Sequence, residues 1–98
     1  MLDRITGLQV FARVAALGSL SAAARALGMS QTMATKHVAA LEQRLGTRLL
    51  HRTTRRLTLT EAGRGYLAAV ERIISDLEEA DANAAKESVE VRGTLRLN

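Results

Sequence analysis

Apolar residues recur at helical spacing through most of this chain and change to alternation in two places. Leu8, Phe11, Val14 and Ala15 share one face of a first helix, expected to open with Asp3 as its cap and to end at Gly18. The stretch from Ser19 to Gly46, SLSAAARALGMSQTMATKHVAALEQRLG, predicts two more helices. Ser21 and Ser30 are the expected caps, each accepting an N–H from the turn that follows, and Gly28 lies in the tight turn between the helices. The alanine run Ala22 to Ala26, with Leu27, makes the second helix slim enough to pack closely against the third. In the third, Ala34, Val38, Leu41 and Leu45 stand 4, 3 and 4 residues apart, which gives one narrow stripe to bury.

After Gly46 the period changes. Arg48 to Thr60, RLLHRTTRRLTLT, reads as a short hairpin with Thr53 to Arg56 near its turn. Thr60 then caps a long helix opening on Glu61, in which Tyr66, Val70, Ile73, Leu77, Ala80 and Ala84 follow at heptad spacing. Extended to Glu87 this helix is roughly 40 Å long at 1.5 Å per residue, against a radius of gyration of about 10 Å for a 60-residue globule. Much of it must overhang, and an overhanging apolar seam calls for a second copy of itself. The part near Tyr66 could instead fold back on the first helix. Gly63 and Gly65 each weaken the first turns by roughly 1 kcal/mol relative to Ala, which points to close backbone packing there. From Val89 the sequence alternates again around Gly93, as a linker entering a strand would, and the strand's partner is expected in a further domain of a longer protein.

The exposed side of the third helix carries Thr32, Lys36, Ala39 and Gln43, with Thr35 on its flank and Gln31 at the N-terminus. Hydroxyls, amides and one cation, with an alanine permitting close approach and no acid, can offer hydrogen bonds to base edges in a major groove. The same composition also suits an ordinary solvated face, and helix-turn-helix shapes also serve as plain packing units. Charge favours the first reading. Residues 1–60 hold nine Lys or Arg against two acids, a balance of +7, whereas residues 61–98 hold five against eight, a balance of −3. A basic half that meets a polyanion fits this split. Arg52, Arg55 and Arg56 gather on the hairpin as on a wing, suited to phosphates or to the electronegative minor groove of A·T-rich DNA.

The 98 residues bound the chain to one small domain with an appendage. With no cysteine there is no disulfide framework, thiolate metal site or thiol nucleophile, as suits a reducing cytoplasm. The two histidines, His37 and His51, read as surface or interface side chains, too few for a metal site or a catalytic triad. No enzyme, metal or cofactor is expected in this stretch. Neither a membrane span nor a signal peptide is visible, so a cytoplasmic location is expected.

Taken together, Leu8, Phe11 and Val14, the run GSLSAAARALGMSQ, the pattern of Leu41, Glu42, Leu45 and Gly46, LLHRTTRR, and the LTEAG of Leu59 to Gly63 resemble the N-terminal domain of LysR-type transcriptional regulators. The closing GTLRL is similar to the first strand of that family's effector-binding domain. The resemblance implies a mainly α fold: a winged helix-turn-helix of three helices plus a short β-hairpin wing, followed by a long dimerisation linker helix. It implies a DNA-binding domain at 1–60, a linker helix at 61–88, and a hinge with the start of an effector-binding domain at 89–98. By the same resemblance Gln31, Thr32, Thr35 and Lys36 face the major groove, Ser21 and Arg52 approach phosphates, and Arg55 enters the minor groove. Many members carry Ser where Thr35 stands and Pro or Ser where Thr32 stands, which leaves the base preference open. Homodimers through the linker helix, tetramers at full length and a small-molecule inducer on the C-terminal domain are further implications. The resulting expectation is sequence-specific binding of double-stranded DNA by a bacterial regulator. The alternatives are a dimerising protein-interaction module and a sequence-neutral architectural DNA binder.

Overall fold

The computed structural model describes the backbone of residues 3–52 and 57–97 and the side chains of residues 3–52 and 57–87. Three helices, α1 (Arg4–Leu17), α2 (Leu20–Leu27) and α3 (Gln31–Leu45), precede a hairpin of β1 (Leu50–Arg52) and β2 (Leu57–Leu59) and a long α4 (Glu61–Leu97).

The helix starts follow local hydrogen-bond chemistry. Asp3 is extended and accepts both the backbone N–H of Thr6, at 3.0 Å, and its hydroxyl, at 2.7 Å. Those bonds, the hydroxyl's first, hold the carboxyl below the ordinary aspartate range. Ser30 caps α3 as expected, accepting from Met33 N at 3.1 Å. The cap of α2 is Ser19 and not Ser21: Ser19 accepts from Ala22 N at 3.2 Å, and Ser21 lies inside the first turn with its Oγ 3.0 Å from that of Ser19. The helix begins earlier because Leu20 is already packed against the core. Gly18, Gly28 and Gly46 end the three helices with φ near 70°, the left-handed conformation in which a side chain would be strained.

Phe11, Val10, Val14, Val38, Leu49 and Val70 are the largest fully buried side chains. α3 packs against both α1 and α2, and α4 packs along α1. Ala34, Val38 and Leu41 are buried as the stripe predicts, but Leu45 stays 37% exposed, because the chain turns at Gly46 and brings Leu49 and Leu50 into the core. His37 is also buried, at 6% exposure, and not on the surface; it lies beside Gly7 at the start of α1, so the covered face is wider than the stripe, and the His37 Nδ1 makes no hydrogen bond with a described residue. Ala15, expected in the core, is half-buried, while Val10 is fully enclosed.

The strands pair antiparallel, Leu50 with Leu59, His51 with Thr58 and Arg52 with Leu57. The residues expected at the hairpin turn, Thr53 to Arg56, lie outside the described residues. Thr60 caps α4, its hydroxyl accepting from Gly63 N at 2.9 Å. A Cβ at Gly63 would overlap the Leu49 carbonyl, so only glycine lets α4 come this close; Gly65 faces open space and has no such role.

The first turns of α4 belong to the core. Tyr66 packs on Phe11 with ring centroids 5.9 Å apart, and Val70 is fully buried. The fold-back on the first helix that the part near Tyr66 allowed is the one found, and it reaches Val70, which the heptad had placed in the overhanging seam, because the apolar face of α1 lies alongside. From Ser75 to Glu87 every residue is exposed. Helix also continues through Leu97, where a strand was expected after Val89; among the described residues the only strands are paired with each other, and a helix satisfies its own backbone. The molecule measures 63 × 26 × 24 Å as a result.

Candidate nucleic-acid interface

The exposed face of α3 is built by the burial of the opposite one. With Ala34, His37, Val38 and Leu41 turned into α1 and α2, helical geometry leaves Gln31, Thr32, Lys36, Ala39 and Gln43 in solvent, and Thr35 half-buried at the edge. Thr32 and Lys36 are one turn apart, as are Gln31 and Thr35, so amide, hydroxyl and ammonium groups share the N-terminal half of the helix. Met33 is exposed at the same end. Ser21 is exposed in the first turn of α2. Arg52 is exposed at the end of β1, whereas Arg55 and Arg56 lie outside the described residues.

The field around this face is basic. Arg25, Lys36, Arg44, Arg48 and Arg52 are exposed, and the sequence holds only Asp3 and Glu42 as acids before Glu61. Asp3 is committed to Thr6 at the start of α1. Glu42 is half-buried and directs one carboxylate oxygen at the backbone amides of Leu49 and Leu50, at 2.7 and 3.2 Å. In the sequence Glu42 carries no expected role. Its signal was an acid in the last turn of a helix, where the dipole disfavours it.

Of the seam, Ile73 and Leu77 remain 44% and 38% exposed, with Ala80 and Ala84 beyond them, while Tyr66 and Val70 are used internally. Among the described residues no group of three or more His, Cys, Asp or Glu is placed to hold a metal ion, and no helix is long and apolar enough to cross a membrane.

A three-helix core, a two-stranded wing and an outward third helix define a winged helix-turn-helix protein. Residues 5–64 match the family described as bacterial regulatory helix-turn-helix protein, lysR family, and the chain belongs to that family. An HTH-type transcriptional regulator of Xanthomonas campestris pv. campestris (strain 8004) is 47% identical over 87 residues, which cover 89% of this chain and 25% of that protein. The uncharacterized HTH-type transcriptional regulator YhjC of Escherichia coli (strain K12) is 36% identical over 97 residues, covering 99% of this chain and 32% of its own length. The chain therefore spans about a quarter to a third of these curated relatives. Among solved structures, the DNA-binding domain of CbnR in complex with DNA superimposes with a TM-score of 0.78 at 33% identity, over 86% of this chain and 97% of that one.

Proposed function

We propose that this chain is the sequence-specific, double-stranded DNA-binding part of a bacterial transcription regulator and that it works as a homodimer. In this reading α3 enters the major groove with Gln31, Thr32, Thr35 and Lys36. Ser21 and Arg52 meet phosphates, and Arg55, with Arg56 beside it, reaches the adjoining minor groove. The observation that carries the proposal is the face of α3: hydrogen-bonding groups and a cation exposed together, with the one acid of the helix turned inward. The similarity to a domain crystallised on DNA supports it.

Dimerisation is assigned to residues 61–88 through Ile73, Leu77, Ala80 and Ala84, whose exposure on an overhanging helix leaves an apolar strip to cover. Because the relatives are three to four times longer, we assign a small-molecule inducer, tetramer formation and the effector-binding domain to sequence outside this chain. The working location is the cytoplasm, where the DNA is.

Selection of bound sites from a random DNA pool, followed by competition between the selected and random duplexes, tests the proposal. Enrichment of one motif with at least about a thousandfold preference over random DNA is expected. Equal binding of both pools would make the protein an architectural binder, and no retention of DNA would leave a protein-interaction module.

A further inference from the structure

Glu42 stands where a helix least favours an acid, in the last turn of α3. What holds it there is the next segment of chain. Its Oε2 accepts the backbone N–H groups of Leu49 and Leu50, two successive amides at the root of β1, and bonds to an ionised acceptor are the strong kind. The carbonyl of the same residue accepts from Gly46 N at 2.8 Å and Thr47 N at 3.2 Å, which closes α3. From the other side Thr60 N donates to the Leu49 carbonyl at 3.0 Å, and the Thr60 hydroxyl donates to the Arg48 carbonyl at 2.7 Å. The backbone at Leu49, itself buried, is thus clasped between the end of α3 and the start of α4.

We infer that Glu42 is a positioning residue for DNA recognition: it locks the base of the wing to α3, so that a helix in one groove and a wing in the next bind as one rigid piece. The inference rests on the two-groove reading proposed above. A wing released from α3 would have to be ordered anew on each binding event. Recognition of the DNA flanking the helix's contacts would then be lost first, because the face of α3 itself is held by α1 and α2.

The test uses the whole chain as Glu42→Gln, which keeps the shape and a carbonyl acceptor but loses the charge, and as Glu42→Ala. Without DNA, amide exchange at Leu49 and Leu50 is expected to quicken about tenfold or more in Glu42→Ala and less in Glu42→Gln, with the central amides of α1 and α3 unchanged. With DNA, the preference for A·T over G·C flanks around a selected site is expected to shrink in the same order. The preference for the site itself over random sequence should stay within about twofold. Unchanged exchange overturns the proposal, as does a uniform weakening on every DNA with the flank preference intact. Should Glu42→Ala lose its helical dichroism, the Gln variant decides alone. If the wild type shows no flank preference, the two-groove reading fails and takes the proposal with it; that failure is visible in the wild-type arm before any variant is compared.

Discussion

Val70 and Leu77 lie one heptad apart on the same helix, and one is sealed in the core while the other is 38% exposed. Up to Ile74, α4 is a fourth core helix, laid along α1 with Gly63 pressed to Leu49 and Tyr66 against Phe11. From Ser75 to Glu87 the same periodicity continues with every residue exposed. The charge changes with the role, from +7 over residues 1–60 to −3 over residues 61–98. Apolar spacing therefore tells that a face is destined for cover but not which surface covers it. The basic, closed region is the part fitted to a polyanion, and the acidic helix is the part fitted to stand clear of one.

The sharpest way to test this division is to remove buried volume on each side of it. Phe11→Ala empties the centre of the closed region and is expected to cost about 3–5 kcal/mol, a large fraction of the stability of a domain of this size. Leu77→Ala, measured by denaturant titration at concentrations too low for association, should change stability by no more than about 0.5 kcal/mol. A comparable loss for the two would mean that the outer part of α4 shares the core after all.

A charge in the exposed strip separates folding from association. Ile73→Asp and Leu77→Asp each place an unpaired carboxylate where an apolar contact between copies is proposed, and burying it would be too costly to leave unpaired. Both variants are expected to sediment as monomers while the melting of the closed region is preserved. Persistence of dimers would move the interface off α4.

The closed region was legible in the sequence because each of its signals is local. Asp3, Ser30 and Thr60 cap where their side chains predict, the glycines stop the helices, and the change of period at Arg48 marks the wing. What could not be read depended on which surface won a shared face. Tyr66 and Val70 fit a seam and a core equally well, and α1 took them. His37 flanks the stripe by spacing, and the start of α1 around Gly7 covers it. The outward face of α3 was legible as the complement of the buried one, whereas the work of Glu42 was not, because its partners are backbone amides seven and eight residues away.

That outward face supplies the next test. Lys36→Ala removes an exposed cation one turn from Thr32 and leaves the core untouched. If Lys36 reads a base, affinity for the selected site should fall by about 1–3 kcal/mol, and affinity for random DNA by much less. Equal losses on both would reduce Lys36 to a phosphate contact and shift discrimination to Gln31, Thr32 and Thr35.

The smallest effect expected lies at the two helix starts, α1 opening on a charged cap and α4 on the neutral hydroxyl of Thr60. The Asp3 carboxylate is fully exposed, and the Thr6 hydroxyl and N–H hold its folded-state pKa below the ordinary aspartate range. The folded chain therefore releases this proton more readily than the unfolded chain. The cap's charge contributes its full stabilisation above the unfolded value, and that contribution fades as the pH drops through the lower, folded one. Asn caps a helix about as well as Asp but does not titrate. The wild type should thus exceed Asp3→Asn by a small, constant margin at neutral pH. The margin should narrow only in acid, below the usual aspartate range, where thermal midpoints of the two proteins would be followed beside the carboxyl carbon shift of Asp3. A margin unchanged on acidification would mean that the carboxylate's charge adds nothing to the cap, and α1 would then start as α4 does, on hydrogen bonding alone.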